Sequence, residues 1–139
     1  MLIPVVAVEA MRKFKALLEP RSGGEAPPNE VCLSVHTRTF PGAKKSIFWS
    51  LGPWGNTFRE EVEKLDAEFG PNRLGQDGID AIAEATLATG RVLGLEPWDC
   101  RPSYVCVWLP DGNSVASFLR LALIWLEAEA EKRQAGQLP

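Results

Sequence analysis

The only histidine of the sequence, His36, is the one side chain whose ordinary pKa suits acid–base chemistry near neutral pH. Cys32 precedes it by four residues in an alternating run that predicts a β-strand. Both side chains would point to one face, but a rise of about 3.3 Å per residue separates their Cα atoms by about 13 Å. That distance is too long for a thiolate–imidazole pair or for two ligands of one metal. We therefore favour a hairpin histidine without a catalytic role, and keep an enzyme that uses His36 with a nearby carboxylate as an alternative.

Sequence patterns that identify common catalytic and cofactor sites do not occur in this chain. It contains no GxSxG, GxxxxGK[ST] or HExxH, and Cys100 and Cys106 do not form a CxxC pair. Asp77, Asp80 and Glu84 share one side of a predicted helix and could bind a hard cation, but a solvated acidic first turn is the more common outcome. We predict no catalytic residues, no metal site and no cofactor.

Basic and aromatic residues gather around one predicted hairpin. His36, Arg38, Lys44 and Lys45 lie there, with Phe40 among them. Such a hairpin can bind phosphates and stack on bases, or it can meet an acidic protein surface. The third interpretation, slightly favoured, is an edge hairpin whose lysines discourage unwanted strand pairing.

Tryptophan is abundant, and two of the five tryptophans lie in predicted loops. Trp54 follows Gly-Pro, and Trp98 follows Glu-Pro. Tryptophan dominates protein–protein hot spots and often lines small-ligand pockets, although a loop tryptophan can also anchor a helix end in the core. We predict that Trp54 and Trp98 contribute to a binding surface, either for a partner or, with Arg38 and Arg101, for a small ligand or nucleotide.

Seven predicted elements in the order αββααβα position these residues. Residues 115–126 are apolar nearly all round apart from Arg120, so this helix should touch two layers at once or form a dimer seam.

Trp108 and Trp125 lie in apolar runs and are assigned to the core. The predicted helices cover 4–19, 57–69, 77–94 and 113–133, and the predicted strands cover 31–40, 46–51 and 103–109.

Length and composition fit one globular domain over residues 1–139. The chain is 45% hydrophobic and 24% charged, which are ordinary values for a globular protein. Proline and glycine predict a flexible loop near 20–30, and charged residues predict a solvated tail near 133–139.

Charge and cysteine content limit the partners and the compartment. The net charge of −3 argues against a dedicated nucleic-acid binder but leaves nucleic acid as a minor alternative through the hairpin. Three cysteines cannot form a complete disulfide framework in one molecule, which favours the cytoplasm. No apolar run approaches the ~20 residues that span a bilayer, and no secretory signal is evident, so we expect a soluble protein that does not bind membranes.

Together these patterns predict an α+β fold with two layers: a mainly antiparallel sheet of about three strands, covered by four helices. The predicted function is a non-enzymatic interaction or regulatory protein that binds another protein, as a homodimer through the 114–130 helix. A small-ligand or nucleotide-binding domain is the first alternative, and an enzyme using His36 is the second.

Overall fold

A computed structural model describes residues 2–38 and 49–136, without the side chains of Pro71, Ala135 and Gly136. These residues form an α+β fold, as the sequence predicts. The helices are α1 (Val5–Leu18), α2 (Arg59–Phe69), α3 (Pro71–Val92) and α4 (Asn113–Gly136), and the strands are β1 (Val31–His36), β2 (Trp49–Gly52), β3 (Trp98–Cys100) and β4 (Tyr104–Leu109). Short 3-10 helices cover Glu19–Arg21 and Trp54–Phe58.

The four strands form one antiparallel sheet in the order β2-β1-β4-β3. The central pair joins β1 to β4, with Val31 opposite Leu109 and Val35 opposite Val105. Alternate residues of β1 are buried, as expected of a strand with one face on a core. The predicted hairpin is confirmed where it is described, because β2 pairs antiparallel with β1; residues 39–48 lie outside the described residues.

The helices cover one face of this sheet. α3 contacts β1 and β4, and α1 is held against β2 by Phe14, whose ring stacks on Trp49 at 4.3 Å between centroids. α4 packs mainly on α1 and α3. Within the described ranges, no helix combines the length and apolarity that crossing a membrane requires.

The most enclosed helix is α3. Its segment 81–87 is almost entirely buried and is rich in alanine, which allows neighbouring elements to approach from several sides. The apolar sequence of α4 predicted that α4 would contact two layers or form a dimer seam, whereas in the described structure it is α3 that contacts both the sheet and the other helices. Small side chains in α3 were therefore the better signal of a central position.

Several boundaries differ from the prediction for local reasons. α3 extends from Pro71, but Gly75 has non-helical geometry (φ 66°, ψ 170°) and divides it into two helical segments, so the second segment begins close to the predicted residue 77. α2 begins at Arg59 rather than at residue 57, because Trp54–Phe58 forms a 3-10 helix in which the Thr57 hydroxyl donates to the carbonyl oxygen of Trp54 (3.0 Å). β3 is a strand that sequence analysis described as a loop, and it makes the fourth strand of the sheet.

Candidate functional site

The face of the sheet turned away from the helices is the candidate site, and we call it the open sheet face. Strand alternation and register assign its members. Trp98 lies opposite Cys106, which lies opposite Ser34 on β1, and Trp108 lies opposite Cys32. The open sheet face comprises Cys32, Ser34, His36, Ser50, Gly52, Trp98, Cys100, Tyr104, Cys106 and Trp108.

Two exposed indoles dominate this face. Trp98 is 57% exposed and Trp108 is 46% exposed, so the described part of the chain does not cover them. They lie on adjacent strands, one pleat apart, because Trp98 is opposite Cys106 and Trp108 follows Cys106 by two residues. Such diagonal neighbours have Cα atoms about 7–8 Å apart, within reach of one another's large side chains. The two indoles therefore expose apolar surface at neighbouring positions of the open sheet face.

Trp108 was assigned to the core by sequence analysis, and that assignment is wrong. Tyr104–Leu109 is apolar at every position, so hydrophobicity alone does not distinguish its two faces. Val105, Val107 and Leu109 are buried against the helices, which leaves Trp108 on the other side of the pleat. The signal that could have found it is the register with β1, whose two faces differ clearly.

All three cysteines lie on the open sheet face and are free thiols. Burial, together with the nearby Cys32 thiol, raises the pKa of Cys106 to about 11. Cys32 Sγ lies 3.5 Å from Ser34 Oγ. Cys106 is a diagonal neighbour of both other cysteines, a spacing longer than most disulfides allow between Cα atoms. Within the described residues, no three potential ligands lie close enough to hold a metal ion.

His36 and Tyr104 face each other at one end of the open sheet face. Partial burial lowers the pKa of His36 below its usual 6.5, so the imidazole is neutral at pH 7. A hydrogen bond with the Cys100 side chain raises the pKa of Tyr104. Over the described ranges, no carboxylate forms a hydrogen bond or ion pair with His36, so the dyad required by the enzyme alternative is not assembled there.

Charged side chains are concentrated away from this face. In the described strands, no position on the open sheet face carries Asp, Glu, Lys or Arg. Asp99 lies on the helix side of β3, where Arg101 donates to both of its carboxylate oxygens (2.8 and 2.6 Å). These bonds hold the pKa of Asp99 at about 2. In the described strands, the open sheet face therefore carries aromatic, thiol and hydroxyl side chains and no acidic or strongly basic ones.

The predicted site residues are divided between the two sides of the sheet. Trp98 and His36 lie on the open sheet face, and Arg38 is exposed two residues beyond the end of β1. Trp54 is only 3% exposed and packs edge-on against Phe58 at 5.2 Å, which fits the anchoring interpretation. The predicted residues Lys44 and Lys45 lie outside the described residues.

Arg101 belongs to a polar cleft on the helix side. Besides binding Asp99, it donates to Glu84 of α3 (2.5 Å), so both edges of its guanidinium are occupied. The cleft has a volume of about 480 Å³, and Gln76 donates to the Thr37 carbonyl oxygen and to Asp80 within it. These internal bonds tie β3 and the end of β1 to α3.

The pocket proposed for a small ligand is not assembled from its predicted residues. Trp54 is in the core, Trp98 is on the open sheet face, and Arg101 is in the polar cleft. A separate cavity of about 300 Å³ lies between β2 and α2, with Phe14 and Trp49 in its wall. Its accessible volume is at the lower end of ligand pockets.

Comparison of the chain with protein-family models, with curated proteins and with solved structures finds no match.

Proposed function

We propose that this chain is a non-enzymatic interaction domain that binds another protein through the open sheet face. The observation that carries the proposal is the pair of exposed indoles, Trp98 and Trp108, on adjacent strands of a face that the described chain leaves uncovered. Tryptophan in the centre of an interface supplies more binding energy than almost any other residue type. An exposed apolar patch of this kind on a folded domain commonly marks an interaction surface.

The chemistry of the face indicates the chemistry of the partner. Interface centres are depleted in charge and enriched in aromatic residues, and the open sheet face has both properties. Its partner should present an apolar protein segment with neutral surroundings. A nucleic-acid strand is disfavoured, because affinity for phosphates depends on lysine and arginine, and the described strand positions on this face have neither.

The proposal includes the cytoplasm as the working compartment. Three free thiols share the open sheet face, and a reducing environment keeps such thiols from oxidising.

Site-specific photocrosslinking tests the proposal. A photoreactive phenylalanine analogue replaces Trp98 in one sample and the exposed Glu60 of α2 in a control sample, and both are irradiated in the native cells. We expect a discrete protein adduct from position 98 that does not form from position 60. Adducts that are identical at the two positions, an adduct only to nucleic acid, or no adduct from position 98 would each contradict the proposal.

Alanine variants provide the matched measurement on the identified partner. Because both indoles are exposed, Trp98→Ala and Trp108→Ala should fold normally but weaken binding at least tenfold each, the loss expected of central tryptophans. Glu60→Ala serves as the surface control and should bind as the unmodified chain does.

A further inference from the structure

A second apolar surface lies on the outer side of α4, opposite the helix face that packs on α1 and α3. Leu121 and Ile124 are 41% and 58% exposed, although they belong to the most apolar part of the helix. With the exposed Ser117 and Ala128 they follow a 4-3-4 spacing, which places them in one line along the helix. We call these four residues the α4 outer stripe.

The end of α3 widens this surface. Val92 and Leu93 are also exposed. Leu93 and Leu121 line one open cavity of about 460 Å³ between the two helices, so the apolar surface continues from α4 onto α3. A patch that spans two helices has more area to bury than a single isolated leucine, which is common on any protein surface.

The charges beside the α4 outer stripe are arranged so that a copy of the same helix complements them. Arg120 and Glu127 lie on the same side of the stripe, seven residues apart. They are about 10 Å apart along one helix, too far to pair within the chain. Across the described residues Arg120 has no ion-pair partner, while Glu127 meets Arg12 at 3.5 Å on an exposed edge.

We infer that a second copy of this chain occupies the α4 outer stripe, with the two α4 helices antiparallel about a twofold axis. In that arrangement Leu121 of one copy packs against Ile124 of the other, and Ser117 lies opposite Ala128. In an antiparallel pair of helices, residues on one flank of the seam face residues on the same flank of the partner helix, in the reverse order. Arg120 of each copy therefore pairs with Glu127 of the other. Val92 and Leu93 then cover the second half of the opposing α4.

This inference is independent of the proposed function, because the stripe lies on the helix side and the open sheet face lies on the other side of the sheet. The dimer would leave both open sheet faces available to partners. Trp98→Ala should therefore leave the dimer intact, whereas Ile124→Glu should leave the surface of the open sheet face unchanged in each subunit.

Sedimentation equilibrium over a range of concentrations tests the dimer. The unmodified chain should reach twice its mass of 15.3 kDa, and Ile124→Glu should remain a monomer, because it would bury a carboxylate in the seam. Ala67→Glu, at an exposed position of α2, is the matched control and should dimerise normally. Leu126 is unsuitable for this test because it is fully buried within the subunit.

Charge exchange tests the antiparallel pairing itself. Arg120→Glu and Glu127→Arg should each raise the dimer dissociation constant about tenfold, because each replaces attraction by repulsion at both symmetry-related positions. The double exchange should restore the affinity, which is possible only if the two residues meet between chains. A chain that is monomeric at every concentration, or a dimer that survives Ile124→Glu, or one lost on Trp98→Ala, would overturn the inference.

Discussion

The five tryptophans illustrate how position in the fold determines the role of one residue type. Trp49 stacks on Phe14 in the core and Trp54 packs against Phe58, whereas Trp98 and Trp108 are exposed on the open sheet face. Local neighbours suggested a different division, because Trp54 and Trp98 both follow proline. Which face of the sheet a side chain occupies depends on strand register, and register is not a local property of the sequence.

His36 should make the domain less stable in mild acid. Its pKa in the folded protein is below the unfolded value of 6.5, so the unfolded chain binds a proton more readily. The free energy of unfolding is therefore not reduced by His36 above pH 6.5. It declines as the pH falls through that value, because protonation of the imidazole then favours the unfolded chain. Urea unfolding at about pH 7.5 and about pH 5 should show a smaller decline for His36→Asn than for the unmodified chain. An equal decline in both proteins would contradict the assigned environment of His36.

Secondary structure with a strong repeat was predictable, and structure that depends on tertiary contacts was not. The alternating burial of β1 follows the pattern in the sequence, and α2 ends at Phe69 as predicted. β3 has only three residues, too few to show a period. Its strand conformation depends on pairing with β4 and on the bonds of Arg101 to Asp99 and Glu84, which no local pattern reveals.

The candidate site was predictable only in part for the same reason. Trp98 and His36 were named from their residue types, and both lie on the open sheet face. Arg101 was also named, but its charge is satisfied on the helix side by two carboxylates from different elements. A single sequence shows that an arginine is present and does not show which side of the sheet its partners occupy.

Gly112 joins the loop before β1 to the start of α4, and it should not tolerate a side chain. Its amide donates to the Pro27 carbonyl oxygen (2.8 Å), and an added Cβ would lie 2.4 Å from Pro27 Cδ. Gly112→Ala should therefore lower the free energy of unfolding by about 1–3 kcal/mol, the usual cost of overpacking. Urea unfolding measures the change.

Gly23→Ala is the matched control for that substitution. It adds the same methyl group at a position with no heavy atom within 4 Å. Its unfolding free energy should stay within about 0.5 kcal/mol of the unmodified value. Equal losses in the two variants would show that the close approach at Gly112 is relaxed in solution.

At the scale of the whole molecule, the sheet separates two different surfaces. The open sheet face is neutral and aromatic in the described strands, and the helix side carries the exposed ion pairs, such as Arg73 with Glu9 (3.2 Å) and Arg59 with Glu63 (3.2 Å). Exposed pairs of this kind contribute little stability, typically below about 1 kcal/mol. The stability of the domain therefore depends on the apolar layer between sheet and helices.

Hydrogen exchange should reflect this layered arrangement. β1 and β4 bond to neighbours on both edges, and α3 is enclosed, so their amides should exchange slowest and at rates near that of global unfolding. β3, a short edge strand, should exchange earlier. Mass spectrometry of peptides from each element provides the measurement, and exchange in β3 as slow as in β1 would contradict the expected order.

Because all three sulfhydryl groups lie on the same face of the sheet as the two exposed indoles, their reactivity reports whether the open sheet face is occupied. A partner bound to this face must shield Cys32 and Cys100 from an alkylating reagent. The alkylation rate of Cys106, which is already buried, should change little. Occupancy can then be followed by counting modified residues on the native chain, in a crude extract and before the occupant has been identified.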